Sequence, residues 1–203
     1  MKYLAIDTSF EYLSVVLFDG EKYYEHFSPD GKTRHSVTLM PVIDELFERS
    51  SITPEDIDYI CVVKGPGSFT GVRIGVSAAK GLAFALQKKL LAVTAFDLCS
   101  YNGNVQKKLC VIDAAHGHFY VCGFDGDAVS FPPEFIDENK LIELSEEYKV
   151  YSYSDITVVP AEKTDVLKGL IFAAEKYAEQ ASYDQSAVSP LYLRLSQAEE
   201  GRK

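Results

Sequence analysis

Tyr59-Ile-Cys-Val-Val63, followed by Lys64-Gly-Pro-Gly-Ser-Phe-Thr-Gly-Val-Arg-Ile-Gly75, decides the fold of this chain. The first piece is a continuous apolar run, the pattern of a strand buried on both faces. The second is a glycine-rich turn opening a helix that runs to about Gln87. Leu90-Leu-Ala-Val-Thr94 closes the unit as another buried strand. Strand, turn, helix and strand make a βαβ crossover, so the fold class is α/β. The helix is unusual in composition. Gly71, Gly75, Ala79 and Ala83 recur every four residues, with Ala78 and Gly81 alongside. Each mid-helix glycine costs about 1 kcal/mol relative to alanine, so a close approach of another backbone is expected to compensate. Val72, Val76, Leu82 and Leu86 make both faces apolar. One face is expected to cover the sheet and the other to meet a partner.

Upstream lie three expected strands. Tyr3 to Ile6 stops at Asp7-Thr-Ser9, Leu13 to Phe18 stops at Asp19-Gly20, and Lys22 to Phe27 alternates with period two. A helix is expected from His35 to Arg49, with Leu39, Ile43, Leu46 and Phe47 on one face, joined by Met40. Pro41 sits early in it and removes one backbone donor. Thr53-Pro54 starts a short helical turn. Three meandering strands ahead of a crossover predict a mixed sheet with helices on its faces. Asn102-Gly-Asn104 is the expected boundary, giving domains 1–101 and 102–203. The second half repeats the first in shortened form. Leu109 to Ile112 and His118 to Cys122 form a second hairpin, Asp125 to Pro133 is turn-rich, and helices follow at Leu141–Tyr148 and Thr164–Gln180. The residues after Ser196 are expected to fray.

Composition narrows the chemistry. The 203 residues are 47% apolar and 25% charged, which is ordinary for a globular chain. A net charge of -10 opposes phosphate backbones, so the chain alone is a poor candidate for binding DNA or RNA. Cys61, Cys99, Cys110 and Cys122 show no CxxC spacing and suit buried thiols in a reducing cytoplasm. The N-terminal apolar stretch is too short for a signal segment, and no run approaches the ~20 residues of a membrane span. A cytoplasmic protein is expected.

Candidate sites divide on spacing. A P-loop needs Lys after its second glycine, and Val72 follows Gly71; the dinucleotide fingerprint GxGxxG is one residue too short for this GxGxxxG. A tight strand-to-helix turn is the simpler reading. Asp7-Thr8-Ser9 and Asp113 stand at the ends of the leading strands of the two hairpins, where an actin-like ATPase carries its phosphate turns. Neither turn has the usual glycines, and each aspartate alone suits an Asx turn. His26, His35, His116 and His118 are too scattered for a metal site. There is no HxxxH, HExxH or GxSxG, so no catalytic and no metal-binding residues are assigned.

Ala5-Ile-Asp-Thr-Ser9, His35-Ser36, the string from Lys64 to Gly75 and Pro190-Leu-Tyr-Leu-Arg194 together resemble the TsaB (YeaZ) family. The resemblance implies a two-lobed actin-like fold of the ASKHA, ribonuclease H-like type, here with a shortened second lobe. It implies a noncatalytic subunit in making threonylcarbamoyladenosine, next to the anticodon of tRNAs that read ANN codons. Its partners would be the catalytic paralogue TsaD and the P-loop ATPase TsaE. ATP and metal would reside on those partners, with no cofactor required by this chain and tRNA met only through the complex. The family's N-lobe makes both a homodimer and the TsaD contact. On this chain that surface is expected at Gly71, Val72, Gly75, Val76, Ala79 and Ala83. Asp7, Thr8, Ser9 and Asp113 would be a degenerate nucleotide turn. The sequence departs from the family at Ala115, where an arginine is common. Two other classes are weighed against the scaffold: an actin-like small-molecule kinase or ATPase, and a glycoprotease-like peptidase.

Overall fold

The structure, a computed structural model, describes residues 1–29, 34–101 and 105–194. The boundary expected at Asn102–Asn104, the loop residues 30–33 and the terminus after Ser196 lie outside the described residues. The chain forms two compact units. The first comprises Met1–Ala95 and Leu170–Leu191; the second comprises Phe96–Gly169 and the chain from Tyr192. The single boundary expected after residue 101 is therefore corrected, because residues 170–191 return to the first unit.

The first unit is built on a five-stranded sheet in the order β3-β2-β1-β4-β5. Its strands are β1 (Tyr3–Asp7), β2 (Leu13–Phe18), β3 (Tyr23–Ser28), β4 (Tyr59–Val63) and β5 (Lys89–Val93). The first three are antiparallel, while β4 and β5 run parallel to β1, as the crossover requires. Helix α1 (His35–Arg49) joins β3 to β4, with Leu39, Val42, Ile43 and Leu46 buried. Pro41 is tolerated because Val37, one turn earlier, is exposed, so its freed carbonyl can meet water. Thr53 and Asp56 form a capping box on the short turn Pro54–Asp56. Helix α2 (Phe69–Leu86) connects β4 to β5 and packs on β4, β1 and β5. By length and composition it could cross a membrane, but a buried stripe packed on a sheet is the ordinary state of a crossover helix.

The second unit repeats this order. Its strands are β6 (Lys107–Asp113), β7 (His118–Asp125), β8 (Ala128–Asp137), β9 (Lys149–Ser152) and β10 (Glu162–Lys163), arranged β10-β9-β6-β7-β8. Again three strands are antiparallel and two are parallel to the first. Helix α3 (Ala95–Ser100) precedes β6, and α4 (Glu138–Ser145) joins β8 to β9. No helix joins β9 to β10, so α2 has no counterpart. The segment expected to be turns is largely β8. Pro132 and Pro133 fit there because β8 is an edge strand, where a missing donor is harmless.

Helix α5 (Val166–Lys176) is tied to the first sheet by a row of aromatic rings. Tyr23, Phe18, Tyr3 and Tyr59 are neighbours in register across β3, β2, β1 and β4, with ring centroids 4.6, 5.6 and 5.3 Å apart. The three tyrosine hydroxyls converge on α5. Glu175 Oε1 accepts from Tyr23 at 2.6 Å and Tyr3 at 3.2 Å, and the Ala174 carbonyl accepts from Tyr59 at 3.0 Å. Beyond α5, Leu90 and Ser182 exchange backbone hydrogen bonds, and Leu191 donates to Lys64. We expect Glu175→Ala to cost about 1–3 kcal/mol in urea unfolding, because the buried Tyr3 hydroxyl loses its acceptor. Glu175→Gln keeps an acceptor and should cost less; equal losses would contradict this role.

Candidate functional site

The turn after β1 and the start of α2 form one interlocked structure. Asp7 is fully buried and its carboxylate is directed into its own turn. Its Oδ1 accepts from the Ser9 amide at 2.8 Å and the Ser9 hydroxyl at 2.5 Å, and its Oδ2 accepts from Tyr12 at 3.1 Å. Burial raises the Asp7 carboxyl above its ordinary range, against the lowering pull of those bonds and of His35. The turn's other polar groups face α2. Thr8 Oγ1 donates to the Gly71 carbonyl at 2.7 Å, and the Ser68 amide donates to the Ser9 carbonyl at 2.7 Å. Ser68 caps the helix by accepting from the Gly71 amide at 3.3 Å. The glycines permit this contact. A Cβ on Gly67 would overlap the Ser9 carbonyl oxygen, one on Gly71 the Thr8 carbonyl oxygen, and one on Gly75 the Thr8 hydroxyl.

A helix N-terminus attracts anions. Here the Ser9 carbonyl takes the Ser68 amide and the Ser68 hydroxyl takes the Gly71 amide, so the chain's own groups close the turn. The second turn differs. Asp113 is exposed in the second unit, and its Oδ1 accepts from the Ala115 amide at 2.7 Å. Ala115, His116 and Gly117 then all adopt positive φ, of 63°, 55° and 72°. Asp7, Thr8 and Ser9 are thus brought together with Gly71 and Gly75, while Asp113 stands in the other unit.

The expected partner surface is corrected. Gly71, Val72, Gly75, Val76, Ala79 and Ala83 are all buried in the core of the first unit. The small residues admit Thr8 of the same chain rather than a second molecule. The opposite face of α2 is open, with Thr70, Arg73, Ser77, Gly81, Phe84 and Ala85 exposed. Phe84 is 78% exposed, and nothing lies near the place of a Cβ on Gly81. Val37, 68% exposed, and Met40 add apolar surface on α1. Leu82 and Leu86 signal a second apolar face in the sequence but pack against the core, and Met40, expected on the apolar face of α1, is exposed; Phe84 and Val37 are not singled out by the sequence.

Other candidate chemistry is not assembled. Among the described residues no group of His, Cys, Asp and Glu is placed to hold a metal. His35 Nε2 donates to the Phe10 carbonyl at 2.8 Å, and His118 stacks on Phe135 with centroids 4.8 Å apart. All four cysteines are buried. Burial pushes the Cys122 thiol up to about 12 and Cys110 well above its usual value, far from an activated nucleophile.

Two repeated mixed sheets with a helix-crossed first unit make an actin-like, ASKHA-type fold. The solved structure of YeaZ from Pseudomonas aeruginosa aligns with a TM-score of 0.80 over 95% of this chain and 99% of that one, at 22% identity. The model of the family described as TsaD, tRNA N6-adenosine threonylcarbamoyltransferase, matches residues 29–131, just over half of the chain. The chain is 38% identical over 122 residues to the tRNA threonylcarbamoyladenosine biosynthesis protein TsaB of Bacillus subtilis, covering 59% of this chain and 53% of that protein. It is 30% identical over 131 residues to TsaB of Escherichia coli, covering 63% and 56%. The chain belongs to this TsaD family, and the curated relatives named here are its TsaB members. The aligned segments span about half the length of these curated relatives.

Two measurements check the site. Gly71→Ala should cost about 3 kcal/mol or more, whereas Gly81→Ala should stabilise the chain by about 0.5–1 kcal/mol. Similar effects at both positions would refute the assignment of opposite faces. The raised Asp7 carboxyl also links stability to pH. The folded chain holds a proton that the unfolded chain releases near about pH 4. Stability from this group is therefore full below that pH and is lost as pH rises through the folded value. Asp7→Asn should flatten this decline, and parallel profiles of melting temperature against pH for the two proteins would contradict it.

Proposed function

We propose that this chain is a noncatalytic scaffold subunit of the assembly that forms threonylcarbamoyladenosine next to the anticodon of tRNAs reading ANN codons. In this reading it binds and supports a TsaD-type catalytic subunit, and a TsaE-type ATPase joins them. It acts in the cytoplasm, forms a homodimer in isolation and meets tRNA only through the complex. ATP and metal belong to the partners, and this chain requires no cofactor.

The observation that carries the reading is the exposed α1–α2 face. Val37 and Met40 at the start of α1 and Phe84 in the last turn of α2 are large apolar side chains in water, and Gly81 leaves room for a close-packed backbone beside Phe84. Apolar exposure of this kind marks interaction surfaces. The net charge of -10 supports indirect contact with tRNA. An actin-like kinase or ATPase is less well supported, because the Ser9 carbonyl and the Ser68 hydroxyl already take the Ser68 and Gly71 amides at the helix start that phosphate would use. A glycoprotease-like peptidase is disfavoured by the inert thiols and by the local engagement of His35 and His118.

The test is reconstitution of tRNA modification with TsaD-type and TsaE-type subunits, omitting each component in turn. Modification should require this chain, which alone should neither hydrolyse ATP nor cleave protein. Metal-dependent turnover that follows the purified chain and is lost in Asp7→Ala would overturn the reading. Phe84→Lys should leave folding stability within about 0.5 kcal/mol and weaken association with the TsaD-type subunit by about tenfold or more. Undiminished association would remove the α1–α2 face from the proposal.

A further inference from the structure

The sheet edges are treated differently. On β5, Leu90 exchanges both backbone hydrogen bonds with Ser182, at 2.8 and 3.1 Å. On β8, Pro132 and Pro133 remove two consecutive donors. β10 is only two residues long. β3 carries six residues without proline, and among the described residues its only neighbour strand is β2. A free edge of this length is a template for another strand unless it is blunted.

The side chains of β3 define what would fit. Tyr24 packs against the core of the first unit. Tyr23, Glu25 and Phe27 alternate onto the other face, with Tyr23 38% and Phe27 42% exposed. The aromatic surface is continuous with the interior, because Tyr23 stacks on Phe18 and Phe27 lies 5.6 Å from Tyr12. Glu25 and Glu175 both act on the Tyr23 phenol, and neither forms an ion pair among the described residues. Lys22 is turned to the Tyr24 ring. The edge thus presents acid between two aromatic rings.

We propose that β3 is a strand-addition site for an extended peptide segment of a partner protein, with Lys or Arg opposite Glu25 and an apolar residue two positions away on either side. Backbone hydrogen bonds to the open edge supply affinity, and alternate side chains supply selection. Opposite charges facing each other across strands are favourable, and like charges are not. A second copy of this chain fits poorly, since antiparallel pairing centred on Glu25 sets Glu25 against Glu25, and pairing about the strand centre sets it against His26 rather than a Lys or Arg.

The test uses the full chain and a fluorescein-labelled heptapeptide, Ser-Val-Thr-Lys-Thr-Val-Ser, followed by anisotropy and by amide hydrogen exchange. Saturable binding should protect amides of Tyr23–Ser28. Glu25→Lys, an exposed change whose folding a thermal melt confirms, should weaken binding about fivefold or more. Replacing the peptide lysine by glutamate should do the same, and combining the two changes should restore binding. No saturation at millimolar peptide, indifference to both charge changes, or protection elsewhere would overturn the proposal. Concentration-dependent protection of Tyr23–Ser28 without peptide would overturn it too, by showing that a second copy fills the edge.

Discussion

The contact between the β1 turn and the first two turns of α2 is the constraint on which the first unit depends. Thr8 and Ser9 hold their carbonyl oxygens where any Cβ at Gly67 or Gly71 would stand. That approach dictates the glycines, and it dictates the environment of Asp7. With Thr8 and Ser9 turned toward the helix, Asp7 is sealed from water and must be satisfied locally, which Ser9 and Tyr12 accomplish. A strand-ending aspartate can serve a bound cation only if its oxygens are free to reach it. Here three donors hold them, and desolvation disfavours the charge.

The two units show what this contact adds to the fold. Their sheets share one strand order and one pattern of antiparallel and parallel pairs. Only the first has a helix between its last two strands. In the second, the chain from β9 to β10 contributes Ile156, Val158 and Val159 to the core instead. Asp113 therefore meets no glycine-rich helix start within its own unit. Its hairpin is closed by local backbone geometry, with two non-glycine residues at positive φ. A common topology thus supports a buried, interlocked turn in one unit and an exposed, strained one in the other.

Much of this was legible from local pattern. The period-two strands, the capped turn at Thr53 and the crossover around Lys64–Gly75 each carry their signal within a few residues. The misassigned features depend on distance along the chain. Glycine and alanine every four residues announce a close approach but not what approaches, and the answer lay 63 residues back at Thr8. The return of residues 170–191 rests on phenols from three strands meeting Ala174 and Glu175, which no window of sequence displays. β8 was hidden because its prolines weigh against a strand, and only its place at the sheet edge makes them acceptable. Helix α3 is six residues long, too short for periodicity to register.

Glycine carries opposite meanings along α2, and the difference separates architecture from recognition. At positions 71 and 75 the lost helix propensity is offset within the chain, because the vacated space is filled by the β1 turn. At position 81 nothing within the described residues fills it, so about 1 kcal/mol of helix stability is forgone with no internal return. Phe84, less than one turn further on, adds the cost of an aromatic ring in water. Two adjacent departures from the most stable monomer, both relieved by covering the same face, favour a surface shaped by a partner over an accident of composition. The glycines that drew attention in the sequence build the support, and the one glycine without an internal neighbour marks the side of the helix on which association would act.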